Sequence, residues 1–384
     1  MKIVHIITSL GDGGAEHTLF KICKYDTKNE HIVISLKGPG KYYVKLRKLD
    51  IKVHCLNLKF YALHKFFFLI NILRLLKPDI VQTWLVHADL IGGIAAKFSG
   101  INNIIWNVRY SNFKIGKSKI LTIIIINLLA KLSYLIPKLI LIVSKKSIKI
   151  YKNKGYDKKK LRFIPNGYDL SILRPSKIQK KNFYKKTRIK KKIPILGNVA
   201  RFDPKKDHMN LINALSLVQF KKIDFLCFLV GSKINRNNSK LINEIYKLKL
   251  SKYIKLLGQN KNILQVMNGI DIYVQSSSYG EGFPNVVAES MACGTPCVVT
   301  DVGDASLVVG KTGWVVPPNN PNKLAMAIEK ALKEINTKNW DIRRHKARLR
   351  MKNNFDIIKM IKSYNKSWYQ VYKKTEQNTL NINN

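Results

Sequence analysis

The sequence predicts two doubly wound α/β domains in tandem, each a parallel sheet covered by helices on both faces. Three observations carry that prediction. The chain has 384 residues, more than one core ordinarily organises, so two domains of about 150–200 residues are expected. Short apolar runs of strand length recur between helix-length stretches, the alternation that builds βαβ units. The alternation also occurs twice, broken once by a basic stretch without apolar periodicity.

The first series of strands is read at residues 3–8, 31–36, 52–56, 79–84, 103–108 and 138–143. The opening Met1-Lys2-Ile3-Val4-His5-Ile6-Ile7 runs straight into a Gly-rich turn and lacks the long apolar region and cleavage site of a signal peptide, so it reads as a buried first strand. Residues 120–143 are the one candidate membrane span. Asn127, Lys131 and Pro137 interrupt it, which favours a buried helix followed by a buried strand, with no transmembrane helix. These elements make a first domain over 1–165. Pro165-Asn166-Gly167-Tyr168-Asp169 is a turn cluster, and nine of the sixteen residues 177–192 are basic. An interdomain linker is therefore placed at 166–192.

The second series lies at 193–200, 224–230, 253–257, 270–275, 296–300 and 313–316, giving a second domain over 193–354. Helical patterns follow at 322–334, about 340–351 and 355–373. The last carries Phe355, Ile358, Met360, Ile361, Tyr364, Trp368 and Tyr372, an amphipathic face that must cover an apolar surface. Residues 374–384 read as a frayed polar tail.

Sixty-nine Lys and Arg against 23 Asp and Glu give a formal charge of +46, a field that attracts phosphates, anionic headgroups or nucleic acid. A Lys-, Ile- and Asn-rich composition is equally what an AT-rich genome produces, with most lysines solvated. Five cysteines, at 23, 55, 227, 293 and 297, show no paired spacing, which speaks against a disulfide framework or zinc site and fits a reducing cytoplasm. A basic nucleic-acid-binding protein is the reading the charge alone permits. Aromatics are not interleaved with the basic run as stacking platforms, so no nucleic-acid partner is expected.

Doubly wound domains bind ligands at the carboxyl ends of their strands, where the strand order reverses, so a cleft between the domains and the loops that follow strands carry the functional reading. The most informative stretch is Ser278-Tyr279-Gly280-Glu281-Gly282-Phe283-Pro284-Asn285-Val286-Val287-Ala288-Glu289-Ser290-Met291-Ala292-Cys293-Gly294-Thr295-Pro296. A strand ends near Gln275, a helix opens near Asn285, and Gly294 closes it. Backbone N–H groups around Phe283–Val286 with the helix dipole suit a diphosphate. Glu281 and Glu289 bracket them, and an ionised carboxylate accepts two sugar hydroxyls at once; taken alone, Glu289 could equally face solvent on its helix.

This stretch resembles the donor loop of the retaining GT-B glycosyltransferases of family 4, Glu-Gly-Phe-Pro-x4-Glu-(Ala/Ser)-Met-Ala-x-Gly-x-Pro-Val, nearly completely over Glu281–Val298, with Ser290 at the small-residue position. The resemblance implies that Glu281 contacts the donor hexose and Glu289 the ribose, with Gly282, Phe283, Pro284 and Asn285 between them in the donor site. Gly197-Asn198-Val199-Ala200-Arg201-Phe202-Asp203-Pro204-Lys205-Lys206-Asp207-His208 looks like the turn that brings Arg201 and Lys206 to the diphosphate, although Ala200 and Asp207 stand where the family often has Gly. Physically, Arg201 can bind two oxygens and Lys206 supplies a point charge; both could instead be ordinary surface charges. The chain has no Asp-x-Asp pair, the usual holder of a divalent ion, so a metal-independent enzyme without cofactor is expected.

Gly11-Asp12-Gly13-Gly14-Ala15-Glu16 resembles the family's Gly-Gly-Ala-Glu loop, in which Gly13 and Gly14 let backbone approach the donor, or simply form a βα turn. His87, after the strand ending at Trp84, matches a histidine that faces the transferred sugar; a capping or core histidine is the plain alternative. Arg109 resembles a position near acceptor or phosphate. Pro165-Asn166-Gly167-Tyr168-Asp169 resembles the family's hinge and is read as architecture.

The resemblance thus implies a GT-B hexosyltransferase of surface polysaccharide, capsule or lipopolysaccharide synthesis, with Glu281, Arg201, Lys206 and His87 as the catalytic set and His87 and Arg109 toward the acceptor. The donor is a nucleotide-diphosphate sugar, a UDP-sugar favoured. The acceptor is a glycan, lipid-linked, with the enzyme cytoplasmic or peripheral on the cytoplasmic face of the inner membrane. Lys65-Phe66-Phe67-Phe68 with Leu69, Ile70 and Leu73, and the basic residues 117–119, could dock that domain on an anionic leaflet, or be a core helix with flanking lysines. A GT-B nucleotide-sugar epimerase acting without an acceptor is the remaining enzymatic alternative.

Overall fold

The computed structural model describes residues 1–58, 63–109, 120–189, 193–260 and 262–380. They form two compact units, one of Met1–Gly167 with Ile357–Asn384 and one of Tyr168–Asp356.

The first unit runs β1 (Lys2–Ile7), α1 (Gly14–Tyr25), β2 (Glu30–Ser35), α2 (Lys41–Arg47), β3 (Lys52–Cys55), α3 (Leu63–Leu76), β4 (Ile80–Trp84), α4 (Val86–Phe98), β5 (Ile104–Val108), α5 (Ile120–Leu132), β6 (Leu139–Ile142), α6 (Lys145–Asn153) and β7 (Leu161–Phe163). Its strands form a parallel sheet in the order β3-β2-β1-β4-β5-β6-β7. Successive side chains of a strand point to opposite faces, so Val4 and Ile6 pack with α3, α4, α5 and α6 on one side while Ile3 and Ile7 pack with α1 and α2 on the other. Both faces are covered, which is why these strands are continuous apolar runs. The short edge strand β7 was not anticipated, because Leu161-Arg162-Phe163 is half-buried and contains no apolar run.

The second unit runs α7 (Lys177–Thr187), β8 (Ile195–Val199), α8 (His208–Phe220), β9 (Leu226–Val230), α9 (Ser239–Lys247), β10 (Ile254–Leu256), α10 (Ile263–Gly269), β11 (Ile272–Gln275), α11 (Asn285–Ala292), β12 (Cys297–Thr300), α12 (Ala305–Val309), β13 (Trp314–Val316), α13 (Pro321–Glu334) and α14 (Lys338–Asn354). The sheet order is β10-β9-β8-β11-β12-β13, again parallel. Asn and Asp at helix starts satisfy orphan N–H groups: Asn238, Asn262 and Asn320 each accept a backbone hydrogen bond at the start of α9, α10 and α13.

A last helix, α15 (Ile357–Leu380), belongs to the first unit. Tyr364 and Trp368 are buried, and the Trp368 indole donates to Gln82 Oε1 at 2.7 Å. Beneath it lies a buried polar relay. The Trp84 indole, a donor only, contacts His5 Nδ1 at 3.2 Å, so His5 Nε2 carries the proton it donates to His31 Nδ1 at 3.0 Å. His31 Nε2 is then left to donate to Asp26 at 3.2 Å. Burial would raise Asp26, but hydrogen bonds from His31, Asn29, Asn365 and the Lys28 N–H hold it at about 2. His5, Cys23 and His31 bring ligand-type atoms within 4.8 Å of one another; with this tautomer neither His5 nitrogen has a lone pair left for a metal.

Three expectations are revised. The stretch 166–192 is not linker throughout: 177–187 form α7, capped by Ser176, and the division between units falls at Gly167 and Tyr168. A single apolar residue seats this helix. Phe183 is buried against Phe228, with ring centroids 5.1 Å apart, and a Cβ on Gly269 would lie 2.1 Å from its ring. The helix expected to be buried between 120 and 132 is α5, which buries Ile126, Leu129 and Ala130 but exposes Ile120, Leu121, Ile124 and Leu128. The polar tail is helical to Leu380 rather than frayed from 374. No helix among the described residues is long and apolar enough to cross a membrane.

Candidate active site

In the second unit β8 lies between β9 and β11, the point where strand order reverses, so the loops after β8 and β11 border the crevice at the strand ends. The loop after β8 closes with a 3-10 turn over Pro204–Lys206, capped by Asp203. Asp207 follows with φ of 47°, and its carboxylate accepts the Asn210 N–H that opens α8. The family's Gly position is thus left-handed here, a conformation Asp tolerates while also capping a helix.

The two loops are stitched together. The Ser278 N–H donates to Lys205 O at 2.9 Å and the Ser276 hydroxyl to Lys206 O at 2.8 Å. This brings Lys206 Nζ to Glu281 Oε1 at 2.5 Å, an oxygen that also accepts the Ser277 hydroxyl at 2.7 Å. Behind the loop, Gly303 has φ of 56°, and a Cβ there would stand 2.5 Å from the carbonyl oxygens of Glu281 and Gly282. Only glycine lets the next loop pass this closely.

Phe283 is buried against Tyr168 and Phe355, with centroids 6.3 and 5.4 Å apart, so it anchors the loop rather than lining its mouth. Pro284 occupies the N-cap of α11 without a side-chain cap. Asn285 opens that helix and accepts the Tyr168 hydroxyl at 2.6 Å. Glu289 sits half-buried one turn on. Burial above all, then Cys297, Glu281 and Glu289, push the Tyr273 hydroxyl well up, which places both carboxylates in electrostatic reach of one buried phenol. Arg201 is 64% exposed and paired with Asp203 at 3.0 Å.

A small cavity opens here among Asn198, Lys206, Tyr273, Gln275, Ser277, Glu281 and Asn285. Sequence reasoning did not single out Asn198, Tyr273, Gln275 or Ser277. Asn198 Oδ1 and Gln275 Nε2 are buried with no partner among the described residues, groups that a hydroxyl-rich ligand would satisfy. Their one sequence signal is a polar residue breaking an apolar strand, which reads equally as a strand end. A larger hollow at the β10 edge is lined by Lys186, Arg188, Arg236 and Lys255, and its basic lining is what solvated surface residues of a +46 chain produce.

In the first unit β1 lies between β2 and β4. The loop after β1 holds Gly13 and Gly14, and the structure shows a local reason for the first glycine. A Cβ on Gly13 would lie 2.4 Å from Glu16 Oε2, so the missing side chain makes room for the buried Glu16 carboxylate. Gly14 begins α1. After β4, Leu85 is forced to φ of 72°, a strained turn of the kind that accumulates at functional sites, and it delivers half-buried His87 on the first turn of α4. Two residues on, Asp89 is fully buried; burial raises it to about 7 against a hydrogen bond from Thr83 at 2.6 Å.

Arg109 is committed to protein groups. Its guanidinium donates to Thr18 at 3.0 Å, Asn166 at 2.8 Å, Asn107 at 3.3 Å and Tyr364 at 3.1 Å, and stacks 5.2 Å above the Trp84 ring. Expected toward acceptor or phosphate, it ties together α1, the hinge and α15 in this ligand-free structure. Residues 117–119 of the expected docking segment lie outside the described residues.

Comparison with known proteins agrees with this geometry. The family model described as Glycosyltransferase Family 4 matches residues 12–172, and that described as Glycosyl transferases group 1 matches 179–354. The UDP-Gal:alpha-D-GlcNAc-diphosphoundecaprenol alpha-1,3-galactosyltransferase of Escherichia coli is 25% identical over 301 residues, 76% of this chain and 76% of that protein. The N,N'-diacetylbacillosaminyl-diphospho-undecaprenol alpha-1,3-N-acetylgalactosaminyltransferase of Campylobacter jejuni is 29% identical over 289 residues, 72% of this chain and 74% of that protein. Among solved structures, Anabaena HepE in complex with UDP superposes with a TM-score of 0.84 at 20% identity, covering 96% of this chain and 100% of that one. A Rickettsia africae glycosyltransferase gives 0.85 at 21% identity, covering 97% and 98%. These likenesses establish the fold as GT-B. With two family models spanning both Rossmann-like units in succession, the chain belongs to the group 1 glycosyl transferases of glycosyltransferase family 4 and is a sugar-transferring enzyme.

Proposed function

We propose that the enzyme transfers a hexosyl-type residue, with retention of anomeric configuration and without a metal or other cofactor, from a UDP-sugar to a lipid-linked glycan. The work is done at the cytoplasmic face of the inner membrane, in surface-polysaccharide assembly. The observation that carries this reading is the junction of Lys206, Glu281 and the uncapped start of α11 at the switch point of the second sheet. A fixed cation and helix N–H groups suit a leaving diphosphate, and a carboxylate beside them suits sugar hydroxyls. The undecaprenol-linked acceptors named for the two bacterial relatives support the lipid-linked acceptor, and UDP bound to Anabaena HepE supports the base.

In this reading Glu281 holds the hexose and Glu289 the ribose, while Arg201 exchanges Asp203 for the diphosphate. His87 serves the transferred sugar and acceptor side. The acceptor oxygen bonds to the anomeric carbon on the face that the diphosphate leaves, and the acceptor proton passes to a donor phosphate oxygen. Retention rests on the family resemblance, and the absence of an Asp-x-Asp supports metal independence.

The test is radiolabelled transfer from a panel of UDP-, GDP- and ADP-sugars to undecaprenyl-diphosphate-linked sugars. Lys206→Ala and Glu281→Gln are each expected to lose roughly 100-fold or more in kcat, about 3 kcal/mol of transition-state stabilisation. Near wild-type turnover in either variant would remove that residue from the mechanism. Product formed from the donor alone would favour the epimerase alternative.

A further inference from the structure

Tyr168 stands between Gly167 and Asp169 in a turn cluster. Turns run over the surface, yet this tyrosine is fully buried. Its backbone is held from behind: the N–H donates to Phe355 O at 2.9 Å, and the residue pairs with Asp356 in an isolated parallel bridge. Tyr168 and Asp356 are the first and last residues of the second unit, so the two ends of that unit are tied to each other.

From that fixed point the side chain reaches the donor loop. Its ring stacks on Phe283 with planes 26° apart and centroids 6.3 Å apart, and Phe355 meets Phe283 edge-on at 5.4 Å, so rings from both ends of the unit grip this phenylalanine. The Tyr168 hydroxyl, which seeks a polar partner when buried, donates to Asn285 Oδ1 at 2.6 Å across 117 positions of sequence. Asn285 is the first residue of α11, and Pro284 before it provides no side-chain cap. Asn285 also lines the small cavity that Lys206 and Glu281 share. Residues 276–284 carry no helix or strand. Their first half is tied down by the Ser278 N–H on Lys205 O and the Ser276 hydroxyl on Lys206 O, and Gly282 O accepts the Asp304 N–H at 2.9 Å. Tyr168 holds the far end, where the loop becomes helix. A shift of that helix start by a fraction of an ångström changes how its N–H groups meet charge developing on a leaving diphosphate more than it changes ground-state binding.

We infer that Tyr168 is a positioning residue for sugar transfer: its hydroxyl fixes Asn285 and its ring fixes Phe283, so that the first turn of α11 stands in register with Lys206 and Glu281. The inference rests on the proposed donor site and goes beyond it, because it adds a fully buried residue that acts only through its neighbours. The competing account is a plain core tyrosine. The two accounts part over the phenolic oxygen. In a core role its loss lowers stability and leaves the turnover of each folded molecule alone; in a positioning role it slows a folded enzyme, with the donor KM nearly unmoved.

The test is Tyr168→Phe, which keeps the ring and removes the hydroxyl, together with Asn285→Ala and the double variant, all in the full chain. Steady-state transfer is measured with the donor varied, and amide hydrogen exchange is measured without substrate. In Tyr168→Phe, kcat per folded enzyme is expected to fall about tenfold while the donor KM stays within about threefold. The double variant is expected to be no slower than Asn285→Ala, because the hydroxyl acts through that amide, and exchange in the first turn of α11 is expected to quicken in Tyr168→Phe. Wild-type kcat in Tyr168→Phe, losses that multiply in the double variant, or unchanged exchange at 285–288 would each overturn the proposal. Lys206→Ala, assayed alongside, separates the two readings: wild-type turnover there removes the donor site and this inference with it, whereas a slow Lys206→Ala beside a Tyr168→Phe of wild-type speed removes Tyr168 alone.

Discussion

Lys206 and Glu281 neutralise each other in the free enzyme. Neither charge then lies unpaired and half-buried, and in the proposed mechanism the same two groups would turn to the leaving diphosphate and the sugar. Arg201 with Asp203 repeats the arrangement at a more exposed place. Asp89 shows the opposite economy, a carboxyl buried beside Thr83 with one oxygen unpartnered among the described residues. Its value of about 7 in the folded protein, against an ordinary 3.8, means the folded protein holds a proton that the unfolded chain has lost between those values. Raising the pH through 7 therefore strips away stability that is fully present below 3.8. Asp89→Asn keeps the Thr83 hydrogen bond and has no proton to lose. Denaturant titrations at pH 5 and pH 8 should show the variant gaining on the wild type by on the order of 2 kcal/mol over that interval. A gap independent of pH would show that Asp89 titrates normally.

At the scale of elements, α15 does more for the first unit than its polar composition suggests. It places Tyr364 under the Arg109 guanidinium, Asn365 on Asp26, and Trp368 on Gln82. Trp368→Ala removes a fully buried ring and its hydrogen bond and is expected to cost 3–5 kcal/mol, roughly the upper range for large-to-small core changes. Chemical denaturation measures it, and a loss below about 1 kcal/mol would mean that α15 is dispensable to the sheet. The α7 helix teaches the converse. One buried phenylalanine over Gly269 organises eleven residues, too sparse a pattern for periodicity to reveal, and so the segment read as linker.

For the molecule as a whole, two Rossmann-like units divide the labour: the second carries the Lys206 and Glu281 junction, the first the His87 turn. If the second unit alone holds the nucleotide, UDP at about 100-fold above its Kd should add about 2.7 kcal/mol to that unit's stability by mass action. Hydrogen exchange should then slow in the loops at 200–206 and 276–289 and not at 13–14. Equal protection in both units would assign the nucleotide to both.

The sequence by itself determined the two sheets, because strands covered on both faces must be unbroken apolar runs, and all twelve anticipated strands occur within two or three residues of their expected ends. It also determined the loop carrying Glu281 and Glu289, since glycine, proline and a helix start at fixed spacing leave few conformations. Only the tertiary structure decided the partners. That Lys206 meets Glu281, that Arg109 is spent on Thr18, Asn166 and Tyr364, that Gly13 yields to Glu16, and that α5 faces water all depend on residues far apart in the chain. Local pattern records which side chains are apolar or charged; which of them meet, and which are left facing solvent, is fixed only when the sheets close over their helices.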